Sequence, residues 1–235
     1  MILANVRARL SGADCRLVVV ALARLIPGGR ARVERRLVSE GPDVLLDEPG
    51  LLDALLAIRS LAVPSAALFA YVAVRHALLA ARLDDRPLAD YLAALLLEFG
   101  RQDHATRARA VDDQNYHYLA DIVNDLAREN ESGERRFHLQ VHLGNYSLWL
   151  AGLFPDFIAV RRRRRGGPDL PYYDALGRRG FGMAAEHTLA ERYGVAGIYR
   201  LAAERFPALR QALNRLSDRV LFPNSCTEDR LLRSV

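Results

Sequence analysis

The chain has 235 residues, of which 51% are hydrophobic and 26% charged, the proportions of a globular protein that buries a sizeable core rather than of a disordered or collagen-like chain. Thirty-three basic residues against 28 acidic ones give a formal charge of +5, and every basic residue is an arginine. The two cysteines, Cys15 and Cys226, cannot staple a chain of this size, so we expect a reducing, cytoplasmic location.

The periodicity is helical almost throughout, carried by Leu, Ala and Arg, all good helix formers. The apolar run 17–23 is too short for a signal peptide and lacks a cleavage-like tail; within it Leu17-Val18-Val19-Val20 is the only strand-like patch. Pro27-Gly28-Gly29 ends the first helical region, and a basic helix over 30–39 stops at Gly41-Pro42. Asp47 can cap a helix to about residue 59. Pro64 can open a long one to about residue 83, since the first turn does not need its missing N–H. The apolar stretch 61–74 is shorter than the roughly 20 residues that a membrane span requires and reads as a core helix.

After Asp84-Asp85 and Pro87 a helix runs to Gly100, followed by a polar loop over 101–112. Helices are predicted over 113–129 and 134–154, then one that reaches five arginines and stops at Gly166-Gly167-Pro168. The last cover 171–193 and 196–221, with Pro207 interrupting the second. The expected fold is all-α, a bundle-like domain of about eight to ten helices. Residues 1–60 form an N-terminal helical subdomain or part of the same core, 61–222 the main domain, and 223–235 a frayed tail.

The segment His142-Leu-Gly-Asn-Tyr-Ser-Leu-Trp-Leu-Ala-Gly-Leu-Phe-Pro155, with the arginine run and Gly-Gly-Pro-Asp-Leu-Pro-Tyr-Tyr173 after it, resembles a family of bacterial all-helical proteins with no assigned activity. The likeness extends more loosely from Leu45 to Phe222. It implies a bacterial origin and a helical fold, and carries no functional residues onto this chain.

Charge is unevenly spread. Residues 61–134 carry 7 arginines against 12 acids, and residues 135–235 carry 17 against 9. Either the two parts attract one another, or the basic part meets phosphates. Because arginine replaces lysine everywhere, which codon preference explains more simply than binding does, arginine-based motifs are discounted. The densest is Arg161, Arg162, Arg163, Arg164 and Arg165. Cations there complement a helix C-terminus; alternatively they bind anions or nucleic acid, with Tyr172 and Tyr173 stacking on bases.

The helix over 134–154 is apolar on nearly all sides, which places it in the core. His138, His142 and Asn145 share one line of it, and in a buried element such groups need partners. They are hydrogen-bonded core residues, or they bind a ligand or metal with carboxylates from another helix: Asp113 or Asp121, beside His117. A second line, Gln140, Gly144, Ser147 and Ala151, is narrow enough for another helix to approach closely. Asp113, His117, Asp121 and Asp125 form a column best read as a solvated face. Arg135 and Arg136 precede His142 by seven and six residues, a spacing compatible with helical HEPN-type ribonucleases that chance also produces. Gly180-Phe-Gly182 lacks the strand of a dinucleotide motif, so its glycines read as packing positions.

No catalytic residue, cofactor or assigned metal follows from these patterns. The favoured function is a non-enzymatic structural or protein-interaction module, with a protein partner or a homo-oligomer and no membrane. Open alternatives are nucleic-acid or anion binding through the arginine run, a metal- or small-ligand-binding bundle at His138 and His142, and a HEPN-like ribonuclease.

Overall fold

The strand-like patch Leu17 to Val20 is helical. It lies in α1 (Gly12–Ala23), which starts with a reciprocal cap: Ser11 Oγ accepts from the Asp14 N–H at 3.2 Å, and the Asp14 carboxylate accepts from the Ser11 N–H at 2.9 Å. The cap satisfies two backbone donors that a helix start leaves open. In this computed structural model, residues 2–58, 64–101, 105, 108, 116, 118–128 and 133–223 are described. Among them are thirteen α-helices, ten of seven or more residues, and no strand, an all-α fold. Contacts divide the chain into two compact units, Leu3–Leu97 and Met1–Ile2 with Glu98–Val235.

The N-terminal unit contains α1, α2 (Gly29–Glu40), α3 (Pro42–Leu46), α4 (Leu51–Leu56), α5 (Ala66–Ala80) and α6 (Arg86–Phe99), the last two residues of α6 counting with the second unit. α1 packs on α2, α3 and α4, and α5 packs on α4 and on the short turn Arg7–Arg9. That packing ties α5 to the residues before it. Leu22, Val33, Leu51, Leu68, Val72 and Val74 are fully buried there. Asp47 starts no helix: it is the C-cap of α3, and α4 begins four residues beyond it, after Gly50 at φ 84°, a left-handed position that suits glycine. Ser65 caps α5, its Oγ accepting from the Leu68 N–H at 3.1 Å.

The second unit holds α7 (Leu119–Arg128), α8 (Glu134–Leu153), α9 (Pro155–Arg165), α10 (Leu170–Glu186), α11 (Thr188–Arg192), α12 (Ala196–Glu204) and α13 (Phe206–Leu216). α8 is its centre. Every residue from Phe137 to Leu148 is buried, as an all-round apolar helix requires, and α7, α9, α10 and α13 pack on it. α10 comes close because glycine meets glycine: a Cβ on Gly180 would lie 2.6 Å from the Gly144 nitrogen and 2.8 Å from the Gln140 carbonyl oxygen. The narrow line of α8 therefore receives α10. Gly182 is different; a Cβ there meets nothing within 4 Å, so it is not a packing position.

The C-terminal end of α8 is buried and would leave carbonyls unsatisfied. Side chains beyond α12 supply the donors. Asn214 Nδ2 donates to the Ala151 and Gly152 carbonyls, both at 2.8 Å, and Ser217 Oγ to that of Leu153 at 2.7 Å. No described helix is long and apolar enough to cross a membrane.

Candidate functional site

α9 begins at Pro155, whose fixed φ suits a first turn, and ends at Gly166 in the left-handed conformation, φ 63°. Over these three turns the five arginines do not act as one cluster. Phe157, Arg161, Arg164 and Arg165 follow one another at helical spacing and line a groove of about 500 Å³ with Tyr118 and Tyr146. Arg162 and Arg163 line another groove, of about 490 Å³, with Ile158 and Leu170. Arg162 also lies 3.7 Å from Asp169, the residue that caps α10.

The first groove joins open aromatic surface to open charge. The Arg161 guanidinium sits 4.8 Å from the centre of the Tyr118 ring, in cation–π geometry. Tyr118 is 51% exposed and Phe157 52%. Arg164 and Arg165 are exposed and make no ion pair with any described residue. The α9 C-terminus complements them with only about half an elementary charge, screened by solvent. Tyr146, 7% exposed, also lines it, and burial raises its pKa, opposed by Arg161. The tyrosines read from the sequence as stacking partners do not fill that role together. Tyr173 is 3% exposed and belongs to the core, while Tyr172 is exposed at the start of α10, edge-to-face with Tyr173 at 5.9 Å.

The α8 polar line has members with different surroundings. His138 Nε2 is 3.3 Å from Glu134 Oε1, one turn earlier on the same helix. Asn145 is buried beside it on the line. His142 is 3% exposed, and its Nε2 has no hydrogen-bond partner among the described residues. The reason is its neighbours. Tyr146 stacks on the imidazole at 5.7 Å and 6°, and Phe99 and Tyr116 lean on it at 5.9 and 5.8 Å. Burial among rings pushes its pKa down to about 3, so the imidazole is neutral. At His142 burial therefore leaves Nε2 without a hydrogen bond to any described residue.

Asp113 and His117 lie outside the described residues. Asp121 stands in the first turn of α7, and among the described residues no three His, Cys, Asp or Glu side chains converge in a way that could hold a metal. Asp125, read from the sequence as part of a solvated face, instead accepts from the Tyr116 hydroxyl at 2.8 Å and pairs with Arg135 at 3.2 Å. Arg136 donates to the Leu126 carbonyl at 3.2 Å. The two arginines that give the ribonuclease-like spacing are therefore engaged with α7, and His142 is enclosed.

Sequence reading missed Tyr118 and Phe157. Phe157 has a signal, being four residues before Arg161 on one helix; Tyr118 has none, because only the fold brings it to α9. It also missed an ion network in the N-terminal unit. Arg75, 1% exposed, binds Asp47 through two hydrogen bonds of 2.6 and 2.9 Å and reaches Asp84 at 2.5 Å. Arg86 adds a second arginine on Asp47 at 2.7 Å. His76, the next residue on α5, meets the Leu46 carbonyl through Nε2 at 3.0 Å, and burial lowers its pKa.

No protein-family model, curated protein or solved structure matches the chain.

Proposed function

We propose that the protein is a non-enzymatic binding module whose α9 groove takes polyanionic ligands. The observation that carries this reading is the pair Arg164 and Arg165, exposed and without an ion pair to any described residue, lining a groove that Arg161 also lines. A guanidinium is always charged and presents a planar fork of donors suited to phosphate oxygens. Where a protein keeps such groups together without carboxylate partners, an external anion gains their hydrogen bonds at no cost of breaking an internal pair. The total charge of +5 favours the same encounter.

The test is fluorescence anisotropy with a labelled single-stranded oligonucleotide, with inorganic polyphosphate as competitor. Binding at low ionic strength should weaken linearly on a log–log scale as salt rises, with a slope of about −0.7 per phosphate neutralised on a single strand. Replacing both Arg164 and Arg165 by Ala should flatten that slope by about 1.4. Arg162→Ala, on the other groove, should leave it nearly unchanged. Absence of salt-sensitive binding to either polyanion defeats the proposal.

A further inference from the structure

We infer that the ligand of the α9 groove is a single-stranded nucleic acid whose unpaired bases lie on Tyr118 and Phe157. This rests on the polyanion reading above and goes further, because charge alone does not account for the groove. Polyphosphate or an acidic peptide needs only the arginines. Two large aromatic side chains, each about half exposed beside those arginines, give such ligands nothing to grip, and they stay in contact with water at a hydrophobic cost.

The geometry matches a base-bearing strand. Arg161 covers one face of Tyr118, and about half of the residue stays exposed, surface on which a base can settle. The guanidinium also holds the ring in place, which lowers the ordering cost of a base settling on it. Phe157 and Arg164 are seven residues apart on α9, about 10 Å along the axis. An aromatic foot and a cationic head thus stand on one helix, with Arg161 between them and Tyr118 against Arg161 in the same groove. Aromatic platforms alternating with arginines along a groove are how proteins bind single strands without reading sequence. A duplex hides its base faces in the stack and could use only the arginines. The groove volume of about 500 Å³ is in the range of small-molecule sites, suited to one or two splayed nucleotides rather than a helix.

The experiment compares a labelled oligothymidylate, an abasic deoxyribose-phosphate oligomer of the same length and charge, a duplex of the same length, and polyglutamate, on the full chain. The oligothymidylate should bind about five- to a hundredfold more tightly than the abasic strand, the range that base stacking on one aromatic supplies. Tyr118→Ala should remove most of that advantage and leave abasic binding unchanged, whereas Tyr118→Phe should restore it. Phe157→Ala, a substitution at an exposed position, is the second arm should Tyr118→Ala disturb folding. Equal affinity for base-bearing and abasic strands, or preference for the duplex or polyglutamate, overturns the inference. If those ligands still lose binding when Arg164 and Arg165 are replaced, the polyanion reading survives without it. If none of the four ligands binds, both fall.

Discussion

Arg75 in the N-terminal unit and Arg164 in the second unit are the same side chain in opposite circumstances. Arg75 is 1% exposed and held by two hydrogen bonds to Asp47 and one to Asp84. These carboxylates raise its already high pKa, while Arg75 and Arg86 keep the Asp47 carboxyl below its ordinary range despite the burial that opposes it. Arg7 repeats the theme nearby: its Nη1 meets Asp43 at 2.8 Å, its backbone N–H meets Asp90 at 2.8 Å, and it lies 5.9 Å from the Tyr71 ring centre. Among its described residues the second unit keeps its buried charge low, seals its centre with glycines and rings, and leaves Arg164 and Arg165 outside without an ion pair. Arginine content therefore says little about role in this chain. What distinguishes a structural guanidinium such as Arg75 from one open to an external partner is whether the fold brings it a carboxylate.

The largest way to break this comparison is to strand Arg75. Asp47→Ala removes its bidentate partner, leaving a buried cation with Asp84 alone, and should lower the unfolding free energy by about 3–5 kcal/mol in a urea titration. Arg75→Met should cost less, because a side chain of similar volume replaces the charge and Asp47 keeps Arg86. A loss under about 1 kcal/mol for Asp47→Ala would show that the N-terminal unit does not depend on its internal pairing.

The matching strike at the second unit is steric. Gly180→Ala places a methyl 2.6 Å from the Gly144 nitrogen, and backbone cannot rotate away as a side chain can. α8 and α10 must separate, at a cost of about 1–3 kcal/mol. Gly182→Ala on the same helix meets nothing within 4 Å and should stabilise, by up to about 1 kcal/mol, through helix propensity. Opposite signs in thermal melts of these two variants would confirm that contact, not glycine as such, matters at Gly180.

Much of this architecture was readable in the sequence, and the failures have a common cause. Helix starts and stops depend on neighbours in the chain: Ser11 with Asp14, Pro155, and Gly166 all act within a few residues. The narrow line through Gly144 is also local, since helical spacing alone puts its members together. Asp47 was misread because its partners Arg75 and Arg86 are 28 and 39 residues away, so its local context suggested a cap. His138 and His142 look equivalent on one line. Yet His138 has Glu134 one turn before it, whereas the rings around His142 include Phe99 and Tyr116 from outside the helix. Tyr118 and Tyr173 changed places as stacking candidates for the same reason: exposure is decided by packing, and neither residue's neighbours in the chain reveal it.

The enclosed imidazole provides a pH test of the second unit. His142 has a folded pKa near 3, below the value of about 6.5 for a free histidine. Above pH 6.5 both folded and unfolded states are neutral and the residue contributes no pH dependence. As pH falls from there toward 3 the unfolded state takes up a proton that the folded state refuses, so stability drops by about 1.4 kcal/mol per pH unit. His76, also lowered by burial, acts in the same direction, as do carboxylates such as Asp47, whose stabilisation is lost at acid pH. The difference between wild type and His142→Phe isolates His142. The variant should be flatter between pH 6 and 4, and close to wild type or more stable at pH 7, because Nε2 has no partner to lose. Parallel pH profiles would mean that the imidazole is solvated or paired in solution.

The smallest stability effect belongs to the residues with the largest proposed consequence for binding. Arg164→Ala combined with Arg165→Ala removes two exposed charges that make no ion pair with any described residue. Two weak terms oppose each other. Losing cations from the last turn of α9 costs a few tenths of a kcal/mol through the helix dipole, and thinning a run of five adjacent arginines relieves repulsion of similar size. Alanine is also a better helix former than arginine by a small margin. The sum should stay within about 0.5 kcal/mol of zero in a urea titration, while salt-sensitive oligonucleotide binding falls. That separation is what a surface kept for an external partner requires. A loss of stability comparable to that of Asp47→Ala would instead place these arginines with Arg75, as internal struts, and remove the contrast between the two units.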